Sequence, residues 1–192
     1  MTAIAESRSS AAYTRRPDLL MVAEMIEPDT RVLDIGCGDG ALLQLIEEIL
    51  TFSRLNEGQE PVTRDRVELS APIEEAVAFV RSAAEKKGLA LHVELPAEPV
   101  RIVTDGGKVR QILVNLLFNA VQFTADGEIR VELEREAEAI RLHVRDSGIG
   151  IAPEDHASIF DAFWQVRQSS TREVGGTGLG LTVAQRVAQL LG

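Results

Sequence analysis

The chain has 192 residues, enough for one full domain with an appended segment but not for two complete enzyme domains. Hydrophobic residues make up 45% and charged residues 26%, a balance that buries a core and excludes wholesale disorder. Lys plus Arg total 20 against Asp plus Glu at 30, and a net charge of −10 repels a phosphate backbone, so no nucleic-acid partner is expected. Aromatics are only 4%, which leaves Leu, Val, Ile and Ala to fill the core. The single cysteine, Cys37, cannot form an internal disulfide, and no Cys/His set has zinc-site spacing. With neither a secretory leader nor an apolar run of about 18 residues, a soluble chain in a reducing cytoplasm is expected.

Residues 1–16 read as a loose terminus. Leu19, Leu20, Val22, Ala23 and Ile26 have helical spacing and are stopped by Pro28-Asp29, and residues 31–35 form a short strand opening into Gly36-Cys37-Gly38-Asp39-Gly40. Residues 41–55 are predicted as a long helix ended by Asn56-Glu57-Gly58, followed by a polar linker through Arg66. Beyond the linker, residues 73–87 predict a helix stopped by Gly88. Leu89, Leu91, Val93 and Leu95 alternate on one face of a strand, and residues 108–121 carry the clearest helical pattern. Asp126-Gly127 turns into Ile129, Val131, Leu133 and then Ile140, Leu142, Val144, a hairpin, and the last helix spans about 179–191.

On a wheel of about 100° per residue, Val109, Ile112, Leu113, Leu116, Leu117 and Ala120 share one arc of the third long helix. Gln111, Asn115, Asn119 and Gln122 share another. These amides could serve a ligand or merely a solvated face. Asp146-Ser147-Gly148-Ile149-Gly150 follows the second hairpin strand, where a carboxylate can accept from a nucleobase amine and glycines admit a flat ring. Gly175-Gly176-Thr177-Gly178-Leu179-Gly180-Leu181 opens the last helix, whose unhindered backbone amides suit a di- or triphosphate.

In this order the motifs resemble the ATP-binding catalytic domain of sensor histidine kinases, a GHKL or Bergerat fold shared with gyrase and MutL. Residues 115–124 look like its N box, 146–150 its G1 box, 159–163 its F box and 176–180 its G2 box, and residues 48–58 resemble the end of a dimerisation helix. The resemblance implies an α/β, or α+β, two-layer sandwich over about 44–192, with ATP and Mg²⁺ as cofactors. It further implies Asn119 as the Mg²⁺ ligand, Asp146 on the adenine amine, and Gly176, Thr177, Gly178, Leu179 and Gly180 on the phosphates. Asn115, Gly148 and Gly150 complete the implied binding set, under a lid of about 164–175.

Four departures from that family shape the expectation. Gln122 stands where Lys is usual, and Asn115 stands where hydrolase relatives carry a Glu base, so rapid hydrolysis is not expected. The sequence reaches Gly192 before the two strands that normally close the sheet, so Val183, Val187 and Leu190 are expected to be partly bare. No His-Glu or His-Asp phosphoacceptor is present, and His92, His143 and His156 read as structural. The expected activity is therefore phosphoryl transfer to a histidine supplied in trans, with a response regulator or histidine-bearing dimerisation domain as partner.

Residues 16–40 are similar instead to the start of a MetW-like class I S-adenosylmethionine methyltransferase, with Asp34 beside the Gly-rich turn. The ribose-binding acid expected about 20 residues later falls in residues 55–61, which is no strand. The expected division is 1–43 methyltransferase-like, 44–58 dimerisation-helix end and 67–192 ATP-binding domain. The apolar stripe Leu42, Leu45, Ile46, Ile49 and Phe52 is expected to drive homodimerisation or to pack on that domain. A methyltransferase relative and a non-enzymatic interaction module are the alternative readings.

Overall fold

The computed structural model describes residues 41–136, 139–165 and 177–192. The predicted helix at 18–26, the strand at 31–35 and its glycine turn, Gly176 and most of the lid lie outside the described residues.

Helix α1, Ala41–Glu57, ends where the glycine stop was expected. Gly58 takes φ +65°, and its N–H donates to the Leu55 carbonyl at 3.3 Å while Gln59 N–H donates to that of Arg54 at 2.9 Å. A residue without Cβ adopts that left-handed turn cheaply and satisfies the last carbonyls. Helix α2, Ser70–Lys86, stops in the same way at Gly88, φ +72°. Between them, strand β1, Asp65–Glu68, occupies what the sequence suggested was linker, and pairs antiparallel with β3, Arg101–Thr104. Neither strand was anticipated. Four residues with one or two apolar side chains are too short for a period of two to stand out, and their conformation comes from pairing with each other.

The second sheet has the order β2-β4-β5, formed by β2, Ala90–Glu94, β4, Glu128–Arg135, and β5, Ile140–Asp146. Strand β2 runs parallel to β4, with Leu91 opposite Ile129 and Val93 opposite Val131, and β5 returns antiparallel as the expected hairpin. Ile129, Val131 and Leu133 alternate inward. They meet Ile73, Val77 and Val80 of α2 and Leu113 and Leu117 of α3, Gly106–Phe123, in one core. The opposite face carries Arg130, Glu132, His143 and Arg145, so among the described residues the sheet is covered by helices on one side, as in a two-layer sandwich. On β2 the predicted apolar face fades from buried Leu89 to Val93, which is 37% exposed.

Helix α4, Gly180–Leu191, corrects one expectation. Val183 and Val187 are completely buried rather than partly bare, because Ile49, Phe52 and Leu55 of α1, with Ile112 and Ala162, close over them. Only Leu190 stays exposed. Of the stripe of α1, Leu45 and Ile46 are thus buried and Ile49 and Phe52 partly buried within the chain.

Candidate nucleotide-binding site

Helix α3 organises the site. Its first turn is capped by Asp105, whose Oδ1 accepts from Lys108 N–H at 3.0 Å and whose Oδ2 accepts from Thr63 N–H at 2.8 Å. Its amide stripe is not a solvated face. Gln111 and Asn115 are buried, and Asn119 and Gln122 are half-buried. Asn115 Nδ2 donates to the Gly180 carbonyl at 3.1 Å, tying the amide stripe to the start of α4.

The loop after β5 closes on the end of the same helix. Ile149 N–H donates to the Phe123 carbonyl at 3.4 Å, and a Cβ on Gly148 would meet that carbonyl oxygen at 2.6 Å. Gly148 is therefore required by a close approach. Its own N–H donates to Asp146 Oδ1 at 2.9 Å, which orients the exposed carboxyl and leaves its second oxygen available to an amine. Gly150, at φ +67°, has open space around it.

At the start of α4, Thr177 Oγ1 accepts from Leu179 N–H at 3.0 Å. Gly178 has φ +71°, and a Cβ there would lie 2.7 Å from the Trp164 carbonyl oxygen. Phe163, itself strained at φ +65°, donates its N–H to the Gly178 carbonyl at 2.9 Å, and Thr182 Oγ1 donates to the Phe160 carbonyl at 2.9 Å. Positions 115–124, 146–150, 159–163 and 177–182 thus form one hydrogen-bonded set around α3, although they are separated in the chain. Gly176 lies outside the described residues.

Three further residues converge here that the sequence reading did not single out. Gln44 Nε2 donates to Asn115 Oδ1, Thr51 Oγ1 accepts from Gln111 Nε2 at 2.7 Å, and Glu48 Oε2 accepts from Thr177 Oγ1 at 2.5 Å. Gln44, Glu48 and Thr51 recur at i, i+4 and i+7, a polar line in an apolar helix that matches the amide line of α3 in antiparallel sense. That spacing was the available signal. Burial pushes the Glu48 carboxyl above its ordinary range, against the opposing hydrogen bonds from Thr177 and Gln44, with the Glu47 charge adding to the rise.

The histidines stand apart. His92 faces Glu128 at 3.4 Å and His143 faces Glu134 at 3.7 Å on the open side of the sheet, while His156 Nε2 lies 3.1 Å from the Ile151 carbonyl.

Comparison with known proteins agrees with this geometry. Residues 104–192 match the histidine kinase-, DNA gyrase B- and HSP90-like ATPases, a span that contains all four motifs. This match covers just under half of the chain. The sensor histidine kinase AruS of Pseudomonas aeruginosa is 36% identical over 186 residues, covering 91% of this chain and 18% of its own length. The sensor histidine kinase MtrB of Mycolicibacterium paratuberculosis is 33% identical over 146 residues, covering 76% of this chain and 26% of its own. The chain thus spans about a quarter or less of these curated relatives. A solved structure, full-length ShkA in complex with AMPPNP, superposes with a TM-score of 0.64 at 28% identity, over 93% of this chain and 39% of that one. The fold is that of the catalytic, ATP-binding domain of sensor histidine kinases.

A second match, to the methionine biosynthesis protein MetW, covers residues 16–86 and so extends beyond the fragment read from the sequence. Its described part is α1, β1 and α2. Residues 55–57 continue α1, and β1 pairs antiparallel, so the second parallel strand that a methyltransferase nucleotide site needs is not formed there.

Proposed function

We propose that this chain binds Mg·ATP and transfers its γ-phosphoryl group to a histidine supplied in trans. The observation that supports this best is that the Asp146–Gly148 loop, bonded through Ile149 to Phe123, and the Thr177–Gly180 turn, bonded through Gly180 to Asn115, both close on α3, with Asn119 beside Gly180. In this reading Asp146 accepts from the adenine amine while Gly148 lets the ring approach the backbone. The amide oxygen of Asn119 helps to hold Mg²⁺, which neutralises phosphate charge when bound, and the N–H groups opening α4 take phosphate oxygens. The bond between the γ-phosphorus and the β–γ bridging oxygen breaks, a P–N bond forms to the acceptor imidazole, and ADP leaves with the electron pair.

Asn115 cannot act as a base, since an amide takes no proton from water, and its side chain is already committed to Gly180 and Gln44. Transfer is therefore favoured over hydrolysis. The division into residues 1–43, 44–58 and 67–192, a histidine-bearing dimerisation domain or response regulator as partner, self-association and a cytoplasmic site of action belong to the same proposal. Binding of a fluorescent ATP analogue to the whole chain tests it: Mg²⁺-dependent binding is expected, weakened at least about tenfold by Asn119→Ala or Asp146→Asn. Unchanged affinity in both variants refutes the site.

A further inference from the structure

We propose that helix α1 is an intramolecular plug of the nucleotide site, with Glu48 closing its phosphate side and Gln44 closing Asn115, so that nucleotide binds only when α1 moves off α3 and α4. The inference rests on the nucleotide reading and concerns the regulation of that site. A Cβ placed on Gly180 would already lie 3.0 Å from Glu48 Oε1 and 3.7 Å from Asn119 Nδ2. The space beside Gly180, in the turn assigned to phosphate, is thus occupied by the Glu48 carboxyl group. The Thr177 hydroxyl is also taken, as donor to Glu48. A nucleotide phosphate brought beside Glu48 would meet a like charge or a steric block.

The plug is specific in register. Gln44 meets Asn115 and Thr51 meets Gln111, while Glu48 lies between them along α1 and meets Thr177. A helix held only by its apolar stripe could slide, whereas these polar pairs fix one position. The plug is also built to leave. The main core is formed by α2, α3 and the sheet without any residue of α1. Against α4, helix α1 presents Ile49, Phe52 and Leu55, which are only partly buried. Phe52 is the anchor, edge-on to Phe163 at 5.6 Å between centroids and beneath the Arg186 guanidinium at 5.1 Å. Withdrawing α1 therefore leaves the main core closed. Burial of the Glu48 carboxyl above its ordinary range further weakens the docked state when that group is charged.

Apparent nucleotide affinity scales with the fraction of molecules in which the site is open. With the whole chain and a fluorescent ATP analogue in Mg²⁺, Glu48→Ala is expected to bind at least about tenfold more tightly than the parent. Phe52→Ala, which loosens the helix from outside the seam, is expected to bind several-fold more tightly. Hydrogen exchange supplies a second readout: saturating Mg·AMPPNP should speed exchange of the α1 amides in the parent chain. Equal affinity in the parent and both variants, or α1 amides that become more protected when nucleotide binds, overturns the plug while leaving the nucleotide site standing. Absence of binding in all three, with each still folded by circular dichroism, overturns the nucleotide reading and the plug together.

Discussion

Glu48 shows how one buried group can tie stability to pH. Its carboxyl has lost water and gained two hydrogen bonds, and desolvation wins, so its folded pKa is raised above the ordinary 4.5. A raised folded pKa means that the folded state binds the proton more tightly than the unfolded one. The contribution to stability is then fully present below about pH 4.5, the unfolded value, and is lost as pH rises through the elevated folded value. Glu48→Gln removes the charged form. It is expected to be more stable than the parent by about 1 kcal/mol or more at pH 7, with the difference vanishing below the ordinary carboxyl range. Urea unfolding of both chains from pH 4 to pH 8 measures this, and a difference independent of pH sinks the assignment.

Among the elements, α3 has no basic residue in its last turn to meet its exposed carbonyls. The cation comes from outside the helix. Lys87, at the C-terminal cap of α2, donates through Nζ to the carbonyls of Val121 at 2.7 Å, Gln122 at 3.0 Å and Thr124 at 3.4 Å. Favourable charge at a helix C-terminus and three carbonyl acceptors make this contact worth about 1 kcal/mol. Lys87→Ala is expected to lower the unfolding free energy by that amount, read as a lower urea midpoint at unchanged slope, whereas Lys87→Arg should restore part of it. Because Asn119 and Gln122 lie in the last turns of α3, the same lysine steadies the site's amide end.

At the scale of the molecule, two regions of unequal stability are expected. The core of Ile73, Val77, Val80, Leu113, Leu117, Ile129 and Val131 is almost fully excluded from water. Helix α1 is held by a polar seam, by buried Leu45 and Ile46 outside that core, and by a half-buried apolar edge. Local opening follows such differences. Native-state hydrogen exchange is expected to show α1 amides opening at lower free energy than those of α3, with α3 and β4 exchanging only on global unfolding. Identical protection in α1 and α3 would show instead that the helix is an inseparable part of the core.

Most of the local structure and the chemistry of the motifs is legible in the order of the amino acids. Among the described residues, helical spacing marked the four α-helices to within a few residues, Gly58 and Gly88 fixed two of their ends, and the alternation at Ile129–Leu133 and Ile140–Val144 gave the hairpin. Asn119, Asp146 and the glycines around Thr177 stood out because few chemistries other than nucleotide binding want amide, carboxylate and glycine turns in that order. Strands β1 and β3 stayed hidden, since their conformation is set by pairing partners distant in the chain rather than by any local period. Packing in three dimensions settled that Gln111 and Asn115 are buried, bonded to α1, and that α4 is covered from within the chain. It also decided that Glu48, one acid among thirty in the sequence, sits against Thr177. The physical reason is the same in each case: a helical wheel shows which residues share a face, but which face meets which is set by the packing of elements far apart in the chain.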